Sequence, residues 1–185
     1  MLAAVSRTNP LRRRGVRAAA AAAAALCALA ACGAGAVSES ATPGDAARLP
    51  PFRLAAVDGP ALGPAELVGK VVLYEFWATW CTPCHVQVEI LKRLYPGARA
   101  NGAEFVAIAT GEPEEVVREH LAKSPYPYPV LLDPREEAAA ALEVLGLPTL
   151  VVADRAGRIV WRATGLTDAE TLAEALERAA RAPSD

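Results

Sequence analysis

Short apolar runs alternate with stretches of helical periodicity along the central part of the chain. The run VVLYEFW, from Val71 to Trp77, is continuous and β-favouring. Such a run is typical of a central strand that is buried on both faces. Apolar residues then recur at helical spacing through HVQVEILKRLY, which predicts a helix that ends at Pro96-Gly97. This is the strongest pattern of the sequence.

The same two patterns continue to the C-terminus. They predict strands at Ala103–Ala109, Tyr128–Leu132, Thr149–Ala153 and Arg158–Ala163, and helices at Pro113–Ala122, Arg135–Leu145 and Asp168–Ala180. The last two strands flank a turn and form a hairpin, and Thr167 is the expected N-cap of the final helix. Alternating strands and helices, followed by a hairpin and a closing helix, predict an α/β fold with a mixed central sheet flanked by helices.

The N-terminal region has a different composition. Five arginines precede an alanine-rich apolar run from Ala18 to Ala31, and no acidic residue occurs before Glu39. This order predicts a secretory signal over residues 1–31, and the sequence LAAC resembles a lipobox that makes Cys32 the lipidated residue. The small and polar residues that follow indicate a flexible tether over 32–51. We therefore expect a folded domain at 52–182, opened by an N-terminal β-hairpin near Phe52–Val57, and a short tail at 183–185.

Charge and cysteine content narrow the range of possible functions. The chain has 19 basic and 21 acidic residues, and loss of the five signal arginines leaves 14 against 21, a net charge near −7. An acidic exported domain is not expected to bind nucleic acid. Of the four cysteines, Cys27 lies in the signal and Cys32 is the predicted lipid site. Only Cys81 and Cys84 remain, and one close pair indicates chemistry better than it indicates a disulfide scaffold.

The sequence around this pair, WCTPCH, fits more than one chemistry. C-x-x-C alone is typical of a thiol–disulfide redox centre, and C-x-x-C-H is also the attachment signature of a c-type haem. Cys81, Cys84 and His85 could alternatively contact a metal ion. The mature chain has no methionine to serve as the common axial haem ligand. The set also lacks a fourth ligand for a closed zinc site, so no metal or cofactor is expected.

The predicted elements favour the redox centre. Cys81 follows a buried strand, and Cys84 lies in the first turn of the next helix, where backbone N–H groups and the helix dipole stabilise a thiolate. Cys81 is then the attacking thiol and Cys84 the resolving thiol. Thr82 and Pro83, between the two cysteines, are uncharged, which favours a reductant or a middling redox couple over a strong oxidant.

A second motif, Gly146-Leu-Pro-Thr149, precedes an apolar strand some sixty residues later. Together WATWCTPC and GLPT resemble the thioredoxin fold. More specifically, the chain from about Pro51 onward resembles the TlpA/ResA family of membrane-tethered bacterial thioredoxin-like proteins. The similarity includes GKVVLYEFWATWCTPC, the inserted strand–helix unit IATGEPEEVVREHLAK, YPVLLDPREE and GLPTLVVADRAGRIV.

The resemblance implies several site residues and partners. Pro148 would be a cis-proline that faces the cysteine pair, with backbone groups of Leu147 and Thr149 beside it to hold an extended substrate. Trp80 would cover the site, and Thr82 and Pro83 beside it would contact the substrate. Substrates would be disulfide-containing extracytoplasmic proteins such as apocytochromes c. A membrane thiol-transfer protein would supply electrons, and the lipid anchor would hold the domain outside the cell membrane.

Glu75 is the residue that fits its predicted surroundings least. It lies inside the buried strand, where desolvation disfavours the charged carboxylate and raises its pKa. We interpret it as a general base that takes the proton of Cys84. Cytosolic thioredoxins have a buried aspartate at the matching position, whereas TlpA/ResA-like proteins more often place a glutamate in the helix. This chain has Gln87 at that helical position, so the acid is predicted to have moved from helix to strand.

Overall fold

The computed structural model describes residues 47–183. The predicted signal, the lipidation site Cys32, the tether up to residue 46 and the last two residues of the tail lie outside this range. The elements in chain order are β1 (Ala55–Ala56), a short 3₁₀ helix (Pro64–Leu67), β2 (Val71–Trp77), α1 (Thr82–Ala100), β3 (Ala103–Thr110), α2 (Glu114–Lys123), β4 (Val130–Asp133), α3 (Glu137–Ala141), β5 (Thr149–Ala153), β6 (Ile159–Thr164) and α4 (Ala169–Arg181).

The six strands form one mixed sheet in the order β1-β4-β3-β2-β5-β6. Strand β2 runs parallel to β3 and antiparallel to β5, and all seven of its residues are buried. This confirms the prediction of a central strand covered on both faces. The α/β class with a mixed sheet flanked by helices is also confirmed.

Residues of β2 alternate between two apolar layers. Leu73 and Trp77 pack in the layer that contains buried residues of α1, α2 and α4, whereas Tyr74 and Phe76 pack in the layer that contains α3. Because side chains alternate along a strand, Glu75 points toward the layer of Leu73 and Trp77. The buried carboxyl and helix α1 therefore share one face of the sheet.

Helix α1 is longer than predicted. It continues past Pro96 to Ala100 and ends at Asn101, whose amide N–H and side chain both donate to the carbonyl of Gly97. Proline removes one helical hydrogen bond. The packing of Tyr95 and Ala98 against the apolar layer keeps the helix intact through that position.

Two other helix boundaries also differ from the prediction. Helix α3 has only five residues, because the buried carboxylate of Asp133 accepts from the amides of Glu137 and Ala139 at its start, and Glu143 adopts a positive φ of 51° just after its end. The N-cap of α4 is Asp168 and not Thr167, since the Asp168 carboxylate accepts from the amide of Thr171 at 2.9 Å.

The N-terminal hairpin is reduced to one pair of hydrogen bonds between Leu54 and Leu62. Strand β1 instead joins the sheet by antiparallel pairing with β4. Ala47 and Leu49, near the end of the predicted tether, hydrogen-bond to the segment around Gly157, so contacts with the folded domain begin before Phe52. Within residues 47–183, no helix combines the length and apolar character needed to cross a membrane.

Candidate active site

The two cysteines lie where strand β2 leads into helix α1. Cys81 is the N-cap of the helix, and its sulfur accepts a hydrogen bond from the amide of Cys84 at 3.3 Å. The two sulfurs are joined in a disulfide, and the Cα atoms are 5.3 Å apart. Cys81 is 3% exposed and Cys84 is fully buried. The arrangement matches the predicted one, because a thiolate released at Cys81 would meet the amide and the dipole of the helix N-terminus.

The residues around the cysteine pair present an accessible surface. Trp80 is 70% exposed, and Thr82 and Pro83 are exposed in the first turn of α1. Pro83 fits this turn because the first amides of a helix have no intrahelical partner. The predicted substrate contacts Trp80, Thr82 and Pro83 are thus open to a large partner, whereas Trp77, inside β2, is fully buried.

The loop before β5 lies at the same edge of the sheet. The Leu147-Pro148 peptide bond is cis, and the pairing of Phe76 with Thr149 places Pro148 beside the end of β2. Within the described range, neither backbone polar group of Leu147 has a hydrogen-bond partner, whereas the carbonyl of Pro148 accepts from Gly165. Leu147 therefore has free backbone groups at the edge of the sheet from which the cysteine-containing segment emerges.

The side chain of Thr149 is not placed where it could contact a substrate. It is fully buried, and its hydroxyl donates to the carbonyl of Gly146 at 2.7 Å and lies 3.0 Å from the hydroxyl of Thr164. The side chain of Thr149 fixes the loop and faces inward. Its role in substrate binding stays a prediction, in which only the backbone of Thr149 would contact the substrate.

Glu75 is fully buried under helix α1, on the face of the sheet to which the cysteines belong. Burial raises its pKa to about 8, and the hydroxyl of Tyr128 and the charge of Lys92 offset part of that effect. Neither carboxyl oxygen makes a hydrogen bond of standard geometry with the described residues. A carboxyl group with this pKa can accept and return a proton near neutral pH.

Gln87 is also fully buried, and its amide is committed to structure. Its side-chain nitrogen donates to the carbonyl of Thr167 at 3.2 Å, and its side-chain oxygen accepts from the amide of Thr167 at 2.8 Å. These two bonds join α1 to the loop that precedes α4. Sequence reasoning noted only that Gln87 cannot titrate, and it missed this link.

A second group of polar residues borders the disulfide and was not found from the sequence. The buried carboxylate of Glu112 accepts from the amide and the hydroxyl of Thr79, at 2.6 and 2.5 Å. The His85 ring lies 2.9 Å from the carbonyl of Thr79 and stacks on His120 at 5.2 Å. Burial, together with the neighbouring His85, lowers the pKa of His120. No local sequence pattern joins these residues, which are brought together by the ends of β2 and β3.

A C-x-x-C disulfide that caps a helix, next to a cis-proline loop in a mixed sheet of this order, defines a thiol–disulfide oxidoreductase with a thioredoxin fold. The chain belongs to the Redoxin family, whose sequence model matches residues 42–177. The resemblance to TlpA/ResA-like proteins is confirmed by its relatives.

Two of those relatives and one solved structure illustrate the similarity. Thiol-disulfide oxidoreductase ResA of Geobacillus thermodenitrificans is 30% identical over 69% of this chain and 74% of its own length. The ResA protein of Bacillus subtilis is 32% identical over 63% of this chain and 65% of its own length. A thiol:disulfide interchange protein of the thioredoxin family from Chlorobium tepidum has a TM-score of 0.65 at 26% identity, and the match covers 73% of this chain and 97% of that one.

Proposed function

We propose that this oxidoreductase acts outside the cytoplasm as a lipid-anchored reductant of protein disulfides. The observation that carries the proposal is the Cys81–Cys84 disulfide at a helix N-terminus, with the buried Glu75 on the same face of the sheet. The signal-like segment 1–31 and Cys32 in its lipobox-like context support export and anchoring.

The reaction consists of two exchanges. The Cys81 thiolate attacks one sulfur of a substrate disulfide, forms a mixed disulfide and expels the other substrate sulfur as a thiolate. Glu75 then accepts the proton of Cys84, and the Cys84 thiolate attacks the sulfur of Cys81. The Cys81–Cys84 disulfide forms, the second substrate thiolate leaves, and two electrons have passed from enzyme to substrate.

The raised pKa of Glu75 supports its role as a proton acceptor. Burial raises this pKa to about 8, so the carboxyl can gain and lose a proton near neutral pH. We assign to Glu75 the uptake of the Cys84 proton when the disulfide forms and its return when the disulfide is reduced.

The surface of the site and the family resemblance support a substrate and an electron source. The free backbone groups of Leu147 suit an extended segment of a substrate chain, which would lie between Pro148 and the exposed Trp80. The resemblance to the TlpA/ResA family makes apocytochromes c candidate substrates. The oxidised enzyme needs a dithiol donor at the same membrane, and we assign this role to a membrane thiol-transfer protein.

A redox titration of the full chain in detergent tests the proposal. Fluorescence of Trp80 and Trp77 is followed across dithiothreitol and glutathione buffers. We expect a two-electron transition that Cys84→Ser abolishes, with a midpoint near that of thioredoxin, about −270 mV. A midpoint near about −120 mV would make the protein an oxidant. Absence of a transition, together with a haem absorbance band in membranes that contain the protein, would favour the c-type haem alternative at Cys81, Cys84 and His85.

A further inference from the structure

Several buried polar atoms without a protein partner lie on one face of the sheet. Among residues 47–183 they include both carboxyl oxygens of Glu75 and the hydroxyls of Tyr126 and Tyr128. Buried polar groups are nearly always hydrogen-bonded, so such a cluster needs an explanation. The two tyrosines belong to the loop that precedes β4, some fifty residues away from Glu75 in the chain.

Aromatic packing fixes the position of Tyr128. Its ring makes edge contacts with Tyr95 at 5.2 Å, Phe105 at 5.8 Å and Tyr126 at 5.6 Å. The prolines on both sides of Tyr128 restrict the backbone of the loop. The ring of Tyr128 is thereby held in one place. From there its hydroxyl acts on the carboxyl of Glu75 and lowers the pKa of that group, although the two do not form a hydrogen bond of standard geometry.

The tyrosine loop also borders a pocket open to solvent. The pocket has a volume of about 560 Å³, and Tyr95, Arg99, Arg118, Tyr126 and Tyr128 are among its lining residues. Neither cysteine lines it. Tyr128 therefore borders both this water-accessible space and the buried carboxyl, and its own hydroxyl oxygen is buried.

We infer that the hydroxyl of Tyr128 is the link through which Glu75 exchanges its proton with solvent, on the side of the pocket and not through the mouth of the disulfide site. The inference rests on the proposed role of Glu75 as a general base. It adds Tyr128 as a positioning residue and names a path for the proton between Glu75 and solvent. A substrate that covers Cys81 would otherwise also block proton exchange at Glu75.

The proton balance of this route leaves the tyrosine unchanged. The Glu75 carboxylic acid donates its proton to the Tyr128 oxygen while the Tyr128 hydroxyl proton passes to a water molecule admitted from the pocket. The reverse transfer reloads Glu75. Burial raises the pKa of Tyr128, so the residue acts as a neutral donor and acceptor and not as an anion.

The other charged or titratable groups that act on this carboxyl or on Tyr128 lie on α1 and on the tyrosine loop. Lys92 lowers the pKa of Glu75, and Glu89 and Tyr126 act on Tyr128. The neighbours of Glu75 in β3 and β5 are the apolar Ala107 and Leu150. Tyr128 is thus the hydroxyl group that acts directly on the carboxyl.

The test uses Tyr128→Phe, which keeps the ring and removes only the hydroxyl. In the full chain with ¹³C-labelled glutamate, the Glu75 side chain is titrated by NMR, and release of product from a preformed mixed disulfide is timed. The hydroxyl stabilises the carboxylate, so its loss is expected to move the Glu75 midpoint to higher pH. Product release is expected to slow about tenfold, a fraction of what a general base contributes.

Tyr95→Phe is the matched control, because Tyr95 packs on Tyr128 but its own hydroxyl donates to Glu104. Tyr95→Phe is expected to leave both the Glu75 midpoint and the rate of product release at the wild-type values. A second measurement keeps the wild-type side-chain volume: 3-fluorotyrosine, incorporated at all four tyrosines, donates a stronger hydrogen bond and is expected to move the Glu75 midpoint to lower pH.

The inference is overturned if Tyr128→Phe is folded and leaves either the midpoint or the release rate unchanged, or if fluorination leaves the midpoint unchanged. Failure of the proposed function is a different result. In that case the two-electron transition is absent from the wild-type protein itself, whereas failure of the tyrosine link alone leaves that transition and its dependence on Cys84 intact.

Discussion

Glu75 is a carboxyl group at the centre of a sheet, and its burial makes the stability of the fold depend on pH. The pKa rises from 4.5 to about 8 on folding. Between these values the folded state holds a proton that the unfolded chain has lost, so the stabilising contribution is complete below about pH 4.5 and is lost as the pH rises through 8. Removing the charge should therefore stabilise the domain increasingly as the pH rises above about 4.5, and the gain should level off above about pH 8.

The variant Glu75→Gln tests this dependence of stability on pH. We expect the oxidised variant to be more stable than wild type by a few kcal/mol at pH 9, since each pKa unit corresponds to about 1.4 kcal/mol. The difference should shrink toward zero at pH 4. Urea unfolding of both proteins across this range measures it. Glu174→Gln, at an exposed position in the middle of α4, is the control and should show no comparable change with pH.

The same residue shows how far sequence reasoning reaches. Burial of Glu75 follows from its place in a continuous apolar run, and the structure confirms it. The neighbours that set its pKa could not be predicted in this way. Tyr128 and Lys92 come from a loop and a helix whose positions depend on how those elements pack on the sheet, and a one-dimensional pattern contains no such distances.

Helix α1 contains Cys84 of the redox pair, and it is also joined by hydrogen bonds to the loop before the last helix. The two hydrogen bonds from Gln87 to Thr167 cross between elements eighty residues apart. Both partners are buried, so loss of the amide leaves a backbone N–H and a carbonyl without partners. A buried group left unpaired costs about 1–3 kcal/mol.

Gln87→Ala is therefore expected to destabilise the domain by about 2–4 kcal/mol, because it also removes buried side-chain volume. The free energy of unfolding in urea measures the effect. Glu89→Ala, on the same helix, removes an exposed partner of Lys92 and should cost less than about 1 kcal/mol. Equal losses in the two variants would show that the link to Thr167 contributes nothing specific.

The helices also separate what local patterns determine from what packing determines. Periodicity predicted the existence and order of α1, α2, α3 and α4. It placed the end of α1 at Pro96, because a proline ordinarily stops a helix, whereas packing of Tyr95 carries the helix past it. It predicted Thr167, and not Asp168, as the N-cap of α4, since either residue type can cap a helix. The structure shows that Asp168 accepts the capping hydrogen bond, whereas the amide of Thr167 donates to Gln87.

At the scale of the whole molecule, the topology gathers exposed apolar side chains at one edge of the sheet. Trp80 follows β2, Leu145 precedes β5 and Leu166 follows β6, and the pairing of these strands brings the three loops to the edge where the cysteines lie. They are 70%, 95% and 55% exposed. Large apolar side chains left exposed together are typical of a protein-binding surface.

The proposed reduction of protein disulfides predicts that this surface contributes to the recognition of large substrates only. Leu145→Ser and Leu166→Ser are each expected to lower kcat/KM for insulin reduction about tenfold, because burial of a leucine is worth about 1.5–3 kcal/mol. Rates with a small aromatic disulfide should not change, since it reaches Cys81 without covering the loops. Val68→Ser is the matched control: Val68 is 72% exposed but precedes β2, at the opposite edge of the sheet. If Leu145→Ser and Leu166→Ser both reduce insulin at the wild-type rate, these two leucines do not bind the substrate, and recognition must rest on the backbone of Leu147 and on Trp80.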